Sequence, residues 1–252
     1  MDASYQTLIR VPQLLDIIED PQLVLFDCRF VLTDTSSGQK GYNKAHIPGS
    51  IYADLEQHLS GQIIPGTTGR HPLPERSAFL QQVQQWGIHT DRQVVGYDDA
   101  GGPLAAGLWW LLRWQGHEQV ADLDGGWQDW QAASLVIDQR TNPGQTSLST
   151  YPDKDALTLQ LDADQIHKGR YCLLDAREQA RFDGEVEPID PVAGHIPGAI
   201  CAPFSGNLKP NLEFKDATEL GERLATITST DPVVNYFASG VTATHKILAM
   251  VE

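Results

Sequence analysis

Cys28, Cys172 and Cys201 are the three thiols that the 252-residue sequence offers for covalent chemistry. The thiolate, not the thiol, attacks and carries sulfur, so each is judged by what stands beside it in the chain. Cys28 lies between Asp27 and Arg29 at the end of an apolar stretch, and the arginine neighbour could lower its pKa. Cys172 falls inside a predicted buried strand, where a thiol behaves as a small hydrophobe. Cys201 follows Ile196-Pro197-Gly198-Ala199-Ile200. None of the three sits in a loop at a helix start, where backbone N–H groups and the helix dipole favour a thiolate. Three cysteines without a CxxC pair are too few for a disulfide framework and do not suggest zinc.

Other chemistry-bearing residues read more simply. Asp27 and Asp175 could be paired carboxylates, but each is followed two residues later by an arginine, Arg29 and Arg177, and is expected to pair locally. His46 and His195 occupy the same His-Ile-Pro-Gly turn at two places, which favours a structural turn histidine. Ser239 lies between a strand and a helix, yet Phe237 and Val241 replace the flanking glycines of a G-x-S-x-G elbow, so a serine hydrolase is rejected. Gly101-Gly102 has neither Walker A nor dinucleotide spacing. The net charge of −15 repels phosphate backbones and anionic lipid, so neither nucleic acid nor membrane is an expected partner. The apolar run Leu104 to Leu112 is about half of the ~20 residues a membrane helix needs. No secretory signal opens the sequence, and the expected compartment is the cytoplasm.

The elements that must position these residues come in two copies. Leu23 to Phe30 is an apolar strand running into Asp27-Cys28-Arg29, and Tyr171 to Arg177 has the same form ending in Asp175-Ala176-Arg177. His46-Ile47-Pro48-Gly49 lies 19 residues past the first Asp, and His195-Ile196-Pro197-Gly198 lies 20 past the second. Val94-Val95-Gly96-Tyr97 and Val233-Val234-Asn235-Tyr236 each lead into a loop and an apolar helix. Three matched features in one order indicate a tandem duplication.

Phe79, Leu80, Val83 and Trp86 share one face of a helix predicted over Glu75 to Trp86, with a weaker counterpart over Asp216 to Thr226. Trp109, Trp110, Trp127 and Trp130 read as core and closing contacts. Short strands alternating with amphipathic helices predict two α/β domains, each a mainly parallel sheet flanked by helices. The expected division is 1–138, a breaker-rich linker 139–155, and 156–252. In copy one 33 residues run from Tyr97 to Trp130, through a helix, a strand at Val120 to Leu123 and Gly125-Gly126-Trp127; in copy two 16 residues follow Tyr236. The second domain is therefore expected to be truncated, lacking its last strand and closing turn.

Strand-Asp-x-Arg, Gly-His-Ile-Pro-Gly and the run Tyr236-Phe237-Ala238-Ser239-Gly240-Val241-Thr242-Ala243 together resemble the tandem rhodanese-domain sulfurtransferases, the thiosulfate and 3-mercaptopyruvate enzymes. The resemblance covers nearly the whole chain. It implies two rhodanese-like domains, the first non-catalytic and carrying an Asp, here Asp98, where the second carries a cysteine. That cysteine takes sulfane sulfur as a persulfide and passes it to cyanide or a thiol. The matching position here is Phe237, which can neither ionise nor carry sulfur.

The resemblance also makes Arg181 a contact for a small anionic sulfur donor, and Ala238, Ser239, Gly240, Val241 and Thr242 the donor-binding cradle, with Thr242 as an N-terminal hydrogen-bonding residue. Ala238 replaces the usual glycine. Glu187-Pro188 is followed by Ile189-Asp190 rather than by a second arginine, which favours thiosulfate-type over mercaptopyruvate-type ancestry. No cofactor and no metal is implied. The expectation is a sulfurtransferase by descent, catalytically impaired as written; the alternative is a non-catalytic anion-binding or protein-interaction module.

Overall fold

The computed structural model describes residues 4–140, 148–227, 229–236 and 241–252. The first half of the chain runs β1 (Leu8–Ile9), α1 (Val11–Ile17), β2 (Leu23–Asp27), α2 (Ser37–Lys44), β3 (Ile51–Tyr52), α3 (Arg76–Gln85), β4 (Gln93–Tyr97), α4 (Ala105–Trp114), β5 (Val120–Leu123) and α5 (Gly126–Ala132). The second half runs α6 (Ala163–Lys168), β6 (Cys172–Asp175), α7 (Gln179–Phe182), β7 (Ile200–Cys201), a 3-10 turn at Phe204–Asn207, α8 (Ala217–Ala225), β8 (Val233–Tyr236) and α9 (Val241–Val251).

Two parallel sheets result. The first is ordered β1-β5-β4-β2-β3 and the second β7-β6-β8. β2, β3 and β4 correspond to β6, β7 and β8, and the registers repeat: Asp27 faces Tyr97, and Asp175 faces Tyr236. Among the described residues the second sheet has no counterpart of β5. The residues of β4 are buried, because β5 and helices cover them, whereas Val233 at the start of β8 is exposed.

Local signals account for several element ends. Asp162 caps α6 by accepting from the Gln165 amide, and Asp216 caps α8 by accepting from that of Glu219, each within a capping box. Both Ile-Pro-Gly turns need a left-handed residue, which Gly49 (φ +82°) and Gly198 (φ +85°) supply without a Cβ penalty. Helix α4 is apolar nearly all round, with Leu108, Trp109, Trp110, Leu111 and Leu112 all buried. A helix of that composition must be covered on both faces. One face meets its own sheet and the other meets α9.

The main core therefore crosses from one half of the molecule into the other. Val24, Phe26, Val94 and Leu108 of the first domain join Phe214, Leu220, Leu248 and Ala249 of the second in one cluster. The second domain's separate cluster holds only Cys172, Leu174 and Ala202, with Ile227 packed against it. Burying a side chain such as Leu248 contributes about 2 kcal/mol, so much of the second domain's apolar stabilisation comes from docking on the first. Polar contacts fix the docking: the Phe214 amide donates to Asp124 Oδ1 (2.7 Å) and His245 Nε2 lies 3.0 Å from the Gly101 carbonyl.

The breaker-rich segment between the copies is only partly described, since residues 141–147 lie outside the described residues. The stretch 148–157 is not a free tether. The Ser149 amide donates to the Gln84 carbonyl, Tyr151 is buried against His117, and Arg76 pairs with Asp153 at 2.7 Å. Hydrophobic Tyr151 and a run of backbone partners pull this stretch onto the first domain despite its turn-forming composition. No described helix is long and apolar enough to cross a membrane.

Candidate active site

Each copy builds the same polar frame at the carboxyl end of its central strand. In the first, Arg29 Nε and Nη2 donate to Asp27 Oδ1 (3.0 Å) and Oδ2 (2.5 Å), and Nη2 also donates to the Ala45 carbonyl (2.7 Å). In the second, Arg177 repeats this toward Asp175 (3.0 and 2.7 Å) and the Gly194 carbonyl (2.5 Å). The arginine thus ties the strand end to the chain just before the His-Ile-Pro-Gly turn. Burial pushes the Asp175 pKa up, but the hydrogen bonds from Arg177 outweigh it and leave it lowered. Both aspartates pair locally, as their spacing suggests.

The turn histidines are held in the same way in both copies. His46 Nδ1 lies 2.7 Å from the Tyr42 carbonyl and its ring stacks on Tyr42; His195 Nδ1 lies 2.7 Å from the Phe182 carbonyl and its ring stacks on Phe182. The turn amides reach the facing tyrosines: Ile47 N donates to Tyr97 Oη and Ile196 N to Tyr236 Oη. Trp109, Trp110, Trp127 and Trp130 are buried, and Trp127 also lies beneath the Arg29 guanidinium, 4.5 Å from its ring centroid.

Beyond β4 the first copy forms an anion cradle and fills it. Asp98 is buried and its carboxylate accepts from four backbone amides: Ala100 (2.8 Å) and Gly102 (2.9 Å) at Oδ1, Leu104 (2.7 Å) and Ala105 (3.0 Å) at Oδ2. A loop of inward N–H groups leading into α4 is an anion site by construction. Burial pushes the Asp98 pKa up against the pull of these amides, with a net rise. The corresponding stretch after β8 contains Phe237, Ala238, Ser239 and Gly240, which lie outside the described residues. Val241 opens α9 half-buried against the main core. Thr242 is half-buried, and its hydroxyl, expected to hydrogen-bond at the helix start, has no partner among the described residues.

A cleft of about 600 Å³ opens between the domains at the ends of β6 and β8. Its walls include Ile63, Thr68 and Arg70 from the first domain and Arg177, Asp190, His195 and Tyr236 from the second. Ligands of open α/β sheets collect at the carboxyl ends of strands, and the cleft opens at two such ends. Arg181 is not on the cleft wall. Its Nη2 donates to Glu187 Oε1 (2.7 Å) and to Asp190 Oδ2 (2.7 Å), and Asp190 Oδ1 accepts from Arg70 Nε (3.0 Å). Desolvation acts to raise the Glu187 pKa, but the Arg181 hydrogen bonds bring it down to about 2, so this carboxylate stays ionised.

Sequence reasoning had no signal for Arg70, which lies in the long loop between β3 and α3, or for the pairing of Asp190 with it across 120 residues. Arg177 was visible only as half of a local pair. The Glu187-Pro188-Ile189-Asp190 departure was the available clue to Asp190.

The surroundings of Cys28 and Cys201 disfavour the thiolate. The expectation that Arg29 could activate Cys28 is reversed, because Cys28 is buried and Arg29 is occupied by Asp27; desolvation, with Asp27, Asp98 and Asp122 nearby, pushes the thiol pKa up. Cys172 is buried in β6. At Cys201, burial and the Asp175 charge also raise the pKa.

Comparison with known proteins agrees with this duplicated architecture. A model of the rhodanese-like domain matches residues 11–133 and again 155–251. The chain is 45% identical to a probable 3-mercaptopyruvate sulfurtransferase of Pseudomonas aeruginosa, over 98% of this chain and 89% of that protein. It is 37% identical to a putative thiosulfate sulfurtransferase of Mycobacterium tuberculosis, over 99% of this chain and 89% of that one. The solved 3-mercaptopyruvate sulfurtransferase from Leishmania major superimposes with a TM-score of 0.87 at 27% identity, covering 97% of this chain and 69% of that one. Two matched rhodanese domains in one chain, with the Asp-x-Arg frame built twice, place this protein in the family of tandem rhodanese-domain sulfurtransferases.

Proposed function

We propose that the chain binds a small anionic sulfur donor of the thiosulfate type in the cleft between its domains, and that as written it does not turn that donor over. The observation that carries this reading is the position of Tyr236 and Arg177 on the cleft wall, at the ends of the two strands that frame the donor site in the family resemblance. Relatives carry both thiosulfate and 3-mercaptopyruvate names, and the family resemblance implies a thiol or cyanide as the acceptor.

The transfer chemistry requires a thiolate at the position after Tyr236. That thiolate attacks the outer sulfur of thiosulfate, the S–S bond breaks, and sulfite departs with the bonding pair. Cyanide or a thiolate then attacks the persulfide, takes the outer sulfur, and returns the cysteine thiolate. Phe237 has no sulfur, and Cys28, Cys172 and Cys201 are buried or have raised pKa values, so neither half-reaction has a carrier. The missing nucleophile also supports a second reading, a non-catalytic anion-binding module.

Thiocyanate release from thiosulfate and cyanide tests the first part, and no turnover above the protein-free rate is expected. Turnover that survives replacement of all three cysteines would overturn the persulfide account. Phe237→Cys, treated with thiosulfate and weighed by mass spectrometry, is expected to gain the mass of one sulfur atom. A folded variant that gains nothing would show that the cleft is not the donor site.

A further inference from the structure

Six alternating charges form a continuous line, Asp175, Arg177, Glu187, Arg181, Asp190 and Arg70, of which Arg177, Asp190 and Arg70 line the cleft. Three carboxylates balance three guanidiniums along this line, so each guanidinium in it is already paired. The last link crosses between the domains. Asp190 Oδ2 takes Arg181 Nη2 at 2.7 Å and Oδ1 takes Arg70 Nε at 3.0 Å. Asp190 lines the cleft whereas Arg181 does not, so the carboxylate stands where a cleft-bound anion would have to meet that guanidinium. Arg70 Nη2 is buried with no hydrogen-bond partner among the described residues, a further donor in the same place.

We propose that Asp190 is a built-in competitor for the donor: its carboxylate fills the anion seat between Arg181 and Arg70, and an anion binds there by displacing it. This rests on the proposed donor site. A carboxylate tethered in the chain competes at high effective concentration. A monocarboxylate offers the two arginines the same fork-shaped acceptor and the same charge that Asp190 already provides, and gains little by replacing it. A compact dianion brings a second charge and further oxygens, including one for Arg70 Nη2. The backbone can stay while the side chain swings, because the Ile189 and Asp190 amides are held by Glu187 Oε1 at 3.1 and 2.9 Å. The arginines of the seat favour a thiosulfate-like dianion, and Asp190 weakens every anion that must displace it by a common factor.

Calorimetric titration of the full chain with thiosulfate, and separately with pyruvate as the monocarboxylate probe, tests this at constant ionic strength. Asp190→Asn is expected to tighten thiosulfate and pyruvate by a similar factor of about ten. A parent too weak to measure beside a measurable variant counts as tightening. Asp190→Ser must act in the same direction, and adding Arg181→Gln to Asp190→Asn must remove the gain. Asp153→Asn changes the net charge equally outside the cleft and should leave both affinities unaltered. The proposal is overturned if Asp190→Asn and Asp190→Ser, both folded, leave binding within about twofold of the parent, weaken it, or show none, or if Asp153→Asn tightens it as much. Tightening without a sulfur adduct on Phe237→Cys would keep the anion seat and remove the sulfurtransferase reading; an adduct without tightening would do the reverse.

Discussion

Tyr236 stands directly across from Asp175 in the parallel pairing of β8 with β6, as Tyr97 stands across from Asp27 in the first sheet, where it donates to Asp27 Oδ2 at 2.9 Å. The pair joins the two strand ends that carry the site. In the first domain the tyrosine hydroxyl also accepts from the Ile47 amide and meets Ser50 Oγ, each at 3.1 Å, all out of reach of water. In the second the Ile196 amide, at 3.2 Å, lies in an exposed turn.

That difference gives unequal costs to one substitution. Tyr97→Phe leaves the buried Ile47 N–H without a partner and is expected to destabilise the protein by about 1–3 kcal/mol, while Tyr236→Phe costs less because water can replace the lost bond. Urea unfolding of the two variants checks this. Equal losses would mean that burial does not distinguish the two frames.

Protection of the two sheets against hydrogen exchange is expected to differ. β4 is flanked by β2 and β5, whereas β8 pairs with β6 and has no second neighbouring strand among the described residues. Strands with an unpaired edge open more readily. Amides at Val94 to Tyr97 should exchange more slowly than those at Val233 to Tyr236. Equal rates would show that docking of α9 onto α4 protects β8 as fully as a fifth strand would.

The docking contact itself carries a pH dependence. Burial, with Lys246 adding to it, lowers the His245 pKa to about 3, so the folded protein keeps this ring neutral while the unfolded chain protonates it near 6.5. The unfolded state then binds more protons between these values, and the stability contributed by the neutral ring is complete above pH 6.5 and lost progressively as pH falls toward 3. From pH 7 to pH 5 the loss from this group is about 2 kcal/mol. His245→Phe, stacked on Phe214 in the same way, should show a smaller fall in unfolding midpoint over that range. An undiminished fall would place the acid sensitivity elsewhere.

Native alkylation reports on the thiols. With Cys28 and Cys172 buried and the Cys28 pKa raised, iodoacetamide at pH 7 should leave both unmodified while the protein is folded, and should label Cys201 slowly. Labelling of Cys28 at the rate of a free thiol would reopen it as a nucleophile.

The sequence by itself determined the duplication, the strand cores and the helix faces, because each is written in neighbouring residues. Val94 to Tyr97 reads as a strand, Phe79 and Val83 share a buried helical face, and Val241 to Val251 forms α9 as its apolar content suggests. The local Asp-x-Arg pairs were legible for the same reason, since partner and partner lie two residues apart. Tertiary structure alone decided which of those charges face the cleft. Arg181 matched a donor-binding position by motif, yet Asp190 and Glu187 fold over it, and Asp190 is held in turn by Arg70 from the other domain. It also decided that Cys28, beside an arginine in sequence, has its thiol pKa raised, since desolvation outweighs a neighbour whose guanidinium is already spent on Asp27. Periodicity and spacing encode which face of an element is buried; they carry no record of which loop arrives from 120 residues away to compete for a charge.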